Sequence, residues 1–169
     1  ASTLNSTYQT NTTTFLSGLN CSGATCTGLT NTIKQYVGGA TLGINFANST
    51  SAAPTVFIDT SNPPTSAPST TSIANEVVKV VVTNAKKALD PKGLYLVFTS
   101  NYPSRAGYCA WHSAGSAKVG TVTTKFTFGY MPNLASALSG CGAHFLPNYA
   151  PSGLGESFDS LFNVTTHEL

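Results

Sequence analysis

Near the end of the chain His167 and Glu168 stand side by side in FNVTTHEL. In a helical zinc peptidase site two histidines one turn apart hold the metal, and the glutamate after the first activates water. His167 would be a ligand and Glu168 the base in such a peptidase. A catalytic zinc takes about three protein ligands, and the spacing of His112 and His144 does not by itself assign either of them. Asn163 lies one helical turn before His167 and so shares its face. It heads an N-x-S/T sequon, and a glycan there would obstruct any cleft that His167 faced. The residues thus support no confident catalytic or metal site.

Other catalytic patterns are thinner. Asp59, Glu76, Asp90, Glu156, Asp159 and Glu168 are scattered along the chain, with no adjacent carboxylate pair for glycoside hydrolysis. No G-x-S-x-G elbow occurs, and no glycine-rich phosphate cradle follows a strand.

The residues that recur are those that carry covalent modification. Sequons stand at Asn5, Asn11, Asn20, Asn48 and Asn163. Charged residues make up only 8% of the 169, against about 25% in ordinary soluble domains, so attached sugar is the expected source of solubility. A net charge of +2, with its eight Lys and Arg dispersed, gives no basic stripe and disfavours nucleic acid as a partner. Four cysteines, Cys21, Cys26, Cys109 and Cys141, allow three pairings. The short loop between the first two favours Cys21–Cys26 and Cys109–Cys141. Together with the sequons this indicates an oxidising, secretory compartment and an extracellular or cell-surface location. No signal peptide and no apolar run long enough to span a bilayer is evident, which suggests a mature, processed chain or one whose ends are not those of the gene product.

The elements that must position these residues follow from hydrophobic spacing. Ala1–Thr14 is polar, without a clear period, and reads as a flexible arm or a strand that pairs elsewhere. Leu29, Ile33, Tyr36 and Val37 predict a short helix stopped by Gly38 and Gly39. Thr41–Phe46 and Thr55–Asp59 are predicted short strands. SNPPTSAPSTT over 61–71 is a surface loop with the composition of O-glycosylated segments. Ile73, Val77, Val80, Val81, Ala85 and Leu89 predict a helix with Lys86 and Lys87 at its far end. The unbroken run Leu94–Thr99 predicts a strand covered on both faces, the central one, parallel to Thr55–Asp59 in a βαβ unit. Ser113–Lys118 reads as a turn, and Val119–Tyr130 alternates like an edge strand guarded by Lys125. A helical turn over Leu134–Leu138, a Gly/Pro loop from Pro147, and a last helix through Phe158, Leu161, Phe162 and Thr165 complete the chain. Tyr108, Trp111 and Tyr130 are candidate sugar-stacking rings, although aromatic core is their expected use.

The order YLVFTS, GYCAWH, a Thr-rich strand, a Gly/Pro-rich loop and FNVTTHEL resembles the EXORDIUM, or phosphate-induced, family of secreted wall-associated proteins. The likeness is best over Gly93–Leu169, weaker over Phe15–Asp90 and absent before that. It implies an extracellular α/β domain with a mixed sheet and packed helices, zincin-like in outline, in which a His-Glu helix packs beneath the sheet. It also implies a leading strand before this region and a continuation past His-Glu-Leu. The expected organisation is therefore a polar glycosylated arm over 1–14 and an EXORDIUM-like domain over 15–169, incomplete at its C-terminal end.

The expectation is a glycosylated structural protein that binds copies of itself or extracellular glycans. Strand exchange through the arm would build a filament if the contact is head-to-tail and does not close. Zinc peptidase, with zinc as cofactor, and carbohydrate-binding module are the alternatives.

Overall fold

A computed structural model describes residues 6–19 and 55–169. The chain divides into two compact units, one of Leu4–Val56 and one built mainly of Phe57–Leu169. In the first, α1 spans Ser6–Leu19, with Tyr8 and Thr12 buried one turn apart on one face. A helix here corrects the expectation of a flexible or extended arm. The segment's threonines weaken helical propensity only by tenths of a kcal/mol each, roughly, and burial of one face outweighs that. The predicted helix over 29–37, the predicted strand Thr41–Phe46 and the Cys21–Cys26 pair lie outside the described residues.

The second unit is α/β. Its first helix, α2, spans Thr70–Val78 and continues as a π-helical turn over Lys79–Asn84. Ser69 caps it, its Oγ accepting from the amide of Ser72 at 3.1 Å. Ile73, Val77 and Val81 recur every four residues and are buried together. Lys86 adopts φ 56°, so the helix stops before the predicted Leu89, which is buried from a loop.

Three strands form the sheet: β1 (Leu94–Phe98), β2 (Trp111–Val119) and β3 (Val122–Met131), in the spatial order β1-β3-β2. β1 runs parallel to β3, with Leu94 opposite Thr127 and Phe98 opposite Met131. β2 runs antiparallel to β3 through a hairpin in which Gly120, at φ 62°, takes the first loop position. The sheet is mixed, as expected, but its order differs from the expected one. The strand at the centre is β3, whose Phe126, Phe128, Tyr130 and Met131 are at most 1% exposed. Among the described residues Leu94–Phe98 is an edge strand instead. The supposed turn over Ser113–Lys118 is the middle of β2. Small residues mark a strand there because a helix lies close: a side chain on Gly115 would meet Ala74 Cβ at 3.2 Å and the Phe126 ring at 3.2 Å. Thr55–Asp59 forms no strand, so the predicted βαβ unit is absent, although Phe57 still packs on the core.

Beyond β3 the chain makes a short 3₁₀ turn over Leu134–Ser136, the four-residue helix α3 (Leu138–Cys141) and a second 3₁₀ turn over Ala143–Phe145. The last helix, α4, spans Glu156–Glu168 and touches β3 and both 3₁₀ turns. The predicted final helix is thus present in its expected place.

Candidate functional site

The residues singled out in the sequence converge on α4. Its buried face is small and polar: Ser160 and Thr165 are fully buried beside Leu161. Each hydroxyl answers a backbone group. Ser160 Oγ donates to Glu156 O at 2.7 Å and accepts from the amide of Ala143 at 2.8 Å, and Thr165 Oγ1 donates to Leu161 O at 2.7 Å. Burying such groups is tolerable only when they are bonded in this way.

Both ends of α4 are held by histidine–glutamate contacts. Near its C-terminus Glu168 Oε2 lies 2.6 Å from Nδ1 of His112 on β2. Near its N-terminus Glu156 pairs with Nδ1 of His144, from the second 3₁₀ turn. Glu168, the residue that would serve as base in a peptidase, therefore faces the imidazole of His112. His167 is exposed on the same side as Asn163. Among the described residues no group of three or more His, Cys, Asp and Glu side chains lies close enough together to hold a metal.

The loop before α4 is organised by Asp159, which accepts from Tyr149 OH at 2.5 Å and from the amide of Ser152 at 3.2 Å. Burial opposes ionisation of Asp159, but the bonds from Ser152 and Tyr149 outweigh it and hold its pKa below the usual value. The same bond to Asp159 pushes the Tyr149 phenol up to about 12.

A polar cluster that the sequence does not announce sits on α2. Lys79 Nζ lies 2.8 Å from Glu76 Oε1, 3.4 Å from Asp59 Oδ2 and 3.2 Å from Ser61 Oγ, which itself donates to Asp59 at 2.5 Å. A hydrogen bond from Glu76, then those from Ser61, hold Asp59 well below the carboxylate range. Burial and the bond to Asp59 raise Glu76. Lys79 is raised by its bond to Glu76. The two carboxyl groups thus gather around one ammonium, an arrangement that clamps residues 59–61 to the helix. In the sequence Asp59 and Glu76 stand only as scattered acidic residues; their meeting with Lys79 and Ser61 depends on the path of the chain.

The aromatic candidates are core. Tyr130 is fully buried, and Trp111 packs against Tyr130 and Phe128 with ring centroids 5.5 and 5.9 Å apart. Tyr108 meets Trp111 and Tyr130 edge-on.

Cys109 and Cys141 form a disulfide with Cα atoms 5.5 Å apart, tying the connection before β2 to α3. Of the sequon asparagines, Asn163 is exposed on α4 and Asn11 half-buried on α1; Asn5, Asn20 and Asn48 lie outside the described residues. No described helix is long and apolar enough to cross a membrane.

Fold and site together define a disulfide-bonded α/β unit with a three-stranded mixed sheet. Among known proteins the chain matches no family model, no curated protein and no solved structure.

Proposed function

We propose that this is a secreted, N-glycosylated structural protein of the EXORDIUM-like type that assembles with copies of itself. The observation that carries the proposal is the pair of sheet edges. Among the described residues no strand pairs with the outer edge of β1 or of β2. β1 is short and apolar, with no charged residue from Leu94 to Phe98, whereas edges meant to stay single are usually guarded by charge, proline or a bulge.

The strand directions suit a chain of copies. β1 runs parallel to β3 and β2 antiparallel to it. Copies related by translation across the sheet would therefore bring β1 of one against β2 of the next in the antiparallel sense, the more stable pairing. A contact between two different edges is head-to-tail, and with copies related by translation it does not close into a ring, so it builds a filament. On this reading the contact between copies lies at the sheet edges rather than in the segment of α1. The disulfide and the exposed Asn163 favour an extracellular setting for such an assembly.

Light scattering and sedimentation of the glycosylated protein test this reading. Long assemblies are expected, shortened by Leu94→Lys, which adds a guarding charge at a position already 41% exposed. A monodisperse monomer across the concentration range would sink the proposal.

A further inference from the structure

The segment 61–72, SNPPTSAPSTTS, enters α2 through an extended strap whose backbone bonds face inward. The amide of Ser104 donates to Thr65 O at 2.9 Å and its Oγ to the same oxygen at 3.0 Å. The amide of Ala67 donates to Ser104 O at 2.9 Å, and Asn101 Nδ2 donates to Pro64 O at 2.8 Å. Pro63, Pro64 and Pro68 hold the backbone extended between these anchors. The strap is therefore fixed in place while its side chains line the surface.

Its hydroxyls fall into two groups. Ser61, Ser66, Ser69 and Ser72 are engaged: Ser61 with Asp59, Ser66 with Ser104 Oγ at 3.4 Å, and Ser69 with Ser72, as the cap of α2. Thr65, Thr70 and Thr71 are exposed and make no side-chain hydrogen bond among the described residues. A sugar on Ser69 would weaken the cap, whereas a sugar on one of these three threonines disturbs no bond.

We propose that Thr65, Thr70 and Thr71 form an O-glycosylation site, an inference that rests on the secretory reading of the disulfide and sequons. The donor class is a phosphate-activated sugar. A bond forms between sugar C1 and threonine Oγ1 as the bond from C1 to the phosphate oxygen breaks. The phosphate leaves with the bonding pair, and the hydroxyl proton passes to a base of the transferase. Thr65 is an exposed, proline-flanked hydroxyl on extended backbone, and Thr70 and Thr71 stand exposed in the first turn of α2, so all three can be reached by such an enzyme, and the attached sugar adds polar surface where the chain has few charges.

The test uses protein from its native source, stripped of N-glycans enzymatically and digested after lysine. The peptide Gln35–Lys79 carries all three threonines and the Asn48 sequon. The expected result is a peptide heavier by whole sugar residues after N-glycan removal, with electron-transfer fragmentation assigning the sugar to Thr65, Thr70 or Thr71. In the same host, replacing the three threonines by alanine removes the added mass, and Ser69→Ala leaves it. An unmodified peptide, or sugar only on the serines, overturns the proposal. If Asn48 or Asn163 is found converted to aspartate by the stripping enzyme, and so carried an N-glycan beforehand, the secretory reading stands and the threonine site alone fails. If neither is glycosylated, both fail together.

Discussion

β3 and α4 touch each other, yet different forces hold them. β3 is buried through aromatic and thioether side chains, with the Phe126 and Phe128 rings tilted against each other at 5.8 Å and Tyr130 against Trp111. α4 is buried through Ser160 and Thr165, whose hydroxyls are answered by backbone, and is held at its ends by His112 and His144. Burial of rings is non-directional and large per residue; a bonded hydroxyl contributes little net but fixes a position. The central strand thus supplies stability, and the helix supplies registration of the surface that carries Asn163 and His167.

Substitutions should separate the two. Phe128→Ala should cost about 3–5 kcal/mol, measured by denaturant unfolding, and a loss no larger than that of a surface change would break the comparison. Removing the disulfide with paired Cys→Ser changes, which opens a link between residues 32 apart, should cost about 3–4 kcal/mol on the chain-entropy model, again by denaturant unfolding. Ser160→Ala leaves the buried Ala143 amide without its partner and should cost about 1–3 kcal/mol. Amide exchange at Ala143 should rise with it while β3 remains protected.

The smallest effect is expected at the polar cluster on α2. The folded pKa of Asp59 is depressed, so its contribution is present above its unfolded value and lost as the pH falls. That of Glu76 is raised, so its contribution is complete below its unfolded value and lost as the pH rises through the folded one. Glu76→Gln removes the second component. The stability advantage of the parent over this variant should therefore shrink as the pH rises above about 4, the ordinary glutamate value, by under about 1 kcal/mol for a surface cluster. A gap that stays constant with pH would show that Glu76 keeps an unperturbed proton affinity.

The same contrast explains what the sequence disclosed. Ile73, Val77 and Val81 announced α2 by their spacing, and Phe158, Leu161 and Thr165 announced α4. Leu94–Phe98 was legible as a strand but not as an edge, because a short apolar run carries no sign of whether one neighbour or two will pair with it. Trp111–Val119 was hidden by its Ala, Gly and Ser residues, whose smallness reflects the approach of Ala74, a fact of packing rather than of periodicity. The Glu168–His112 contact joins residues 56 apart in the chain. Its geometry depends on β2 lying at one side of β3, which no local pattern encodes. Glu76 was read only as one of several scattered carboxylates; Lys79 lies one turn from it on α2, and Asp59 and Ser61 reach both from a segment whose Phe57 packs on the core.

Hydrogen exchange along β1 and β2 of the glycosylated protein, at low and high concentration, tests the assembly most directly. Edge-to-edge pairing predicts that outward amides of both strands slow at least about tenfold on assembly, equivalent to about 1.4 kcal/mol, while those facing β3 change little. Rates that do not depend on concentration at either edge, in a protein that remains monomeric, would contradict it.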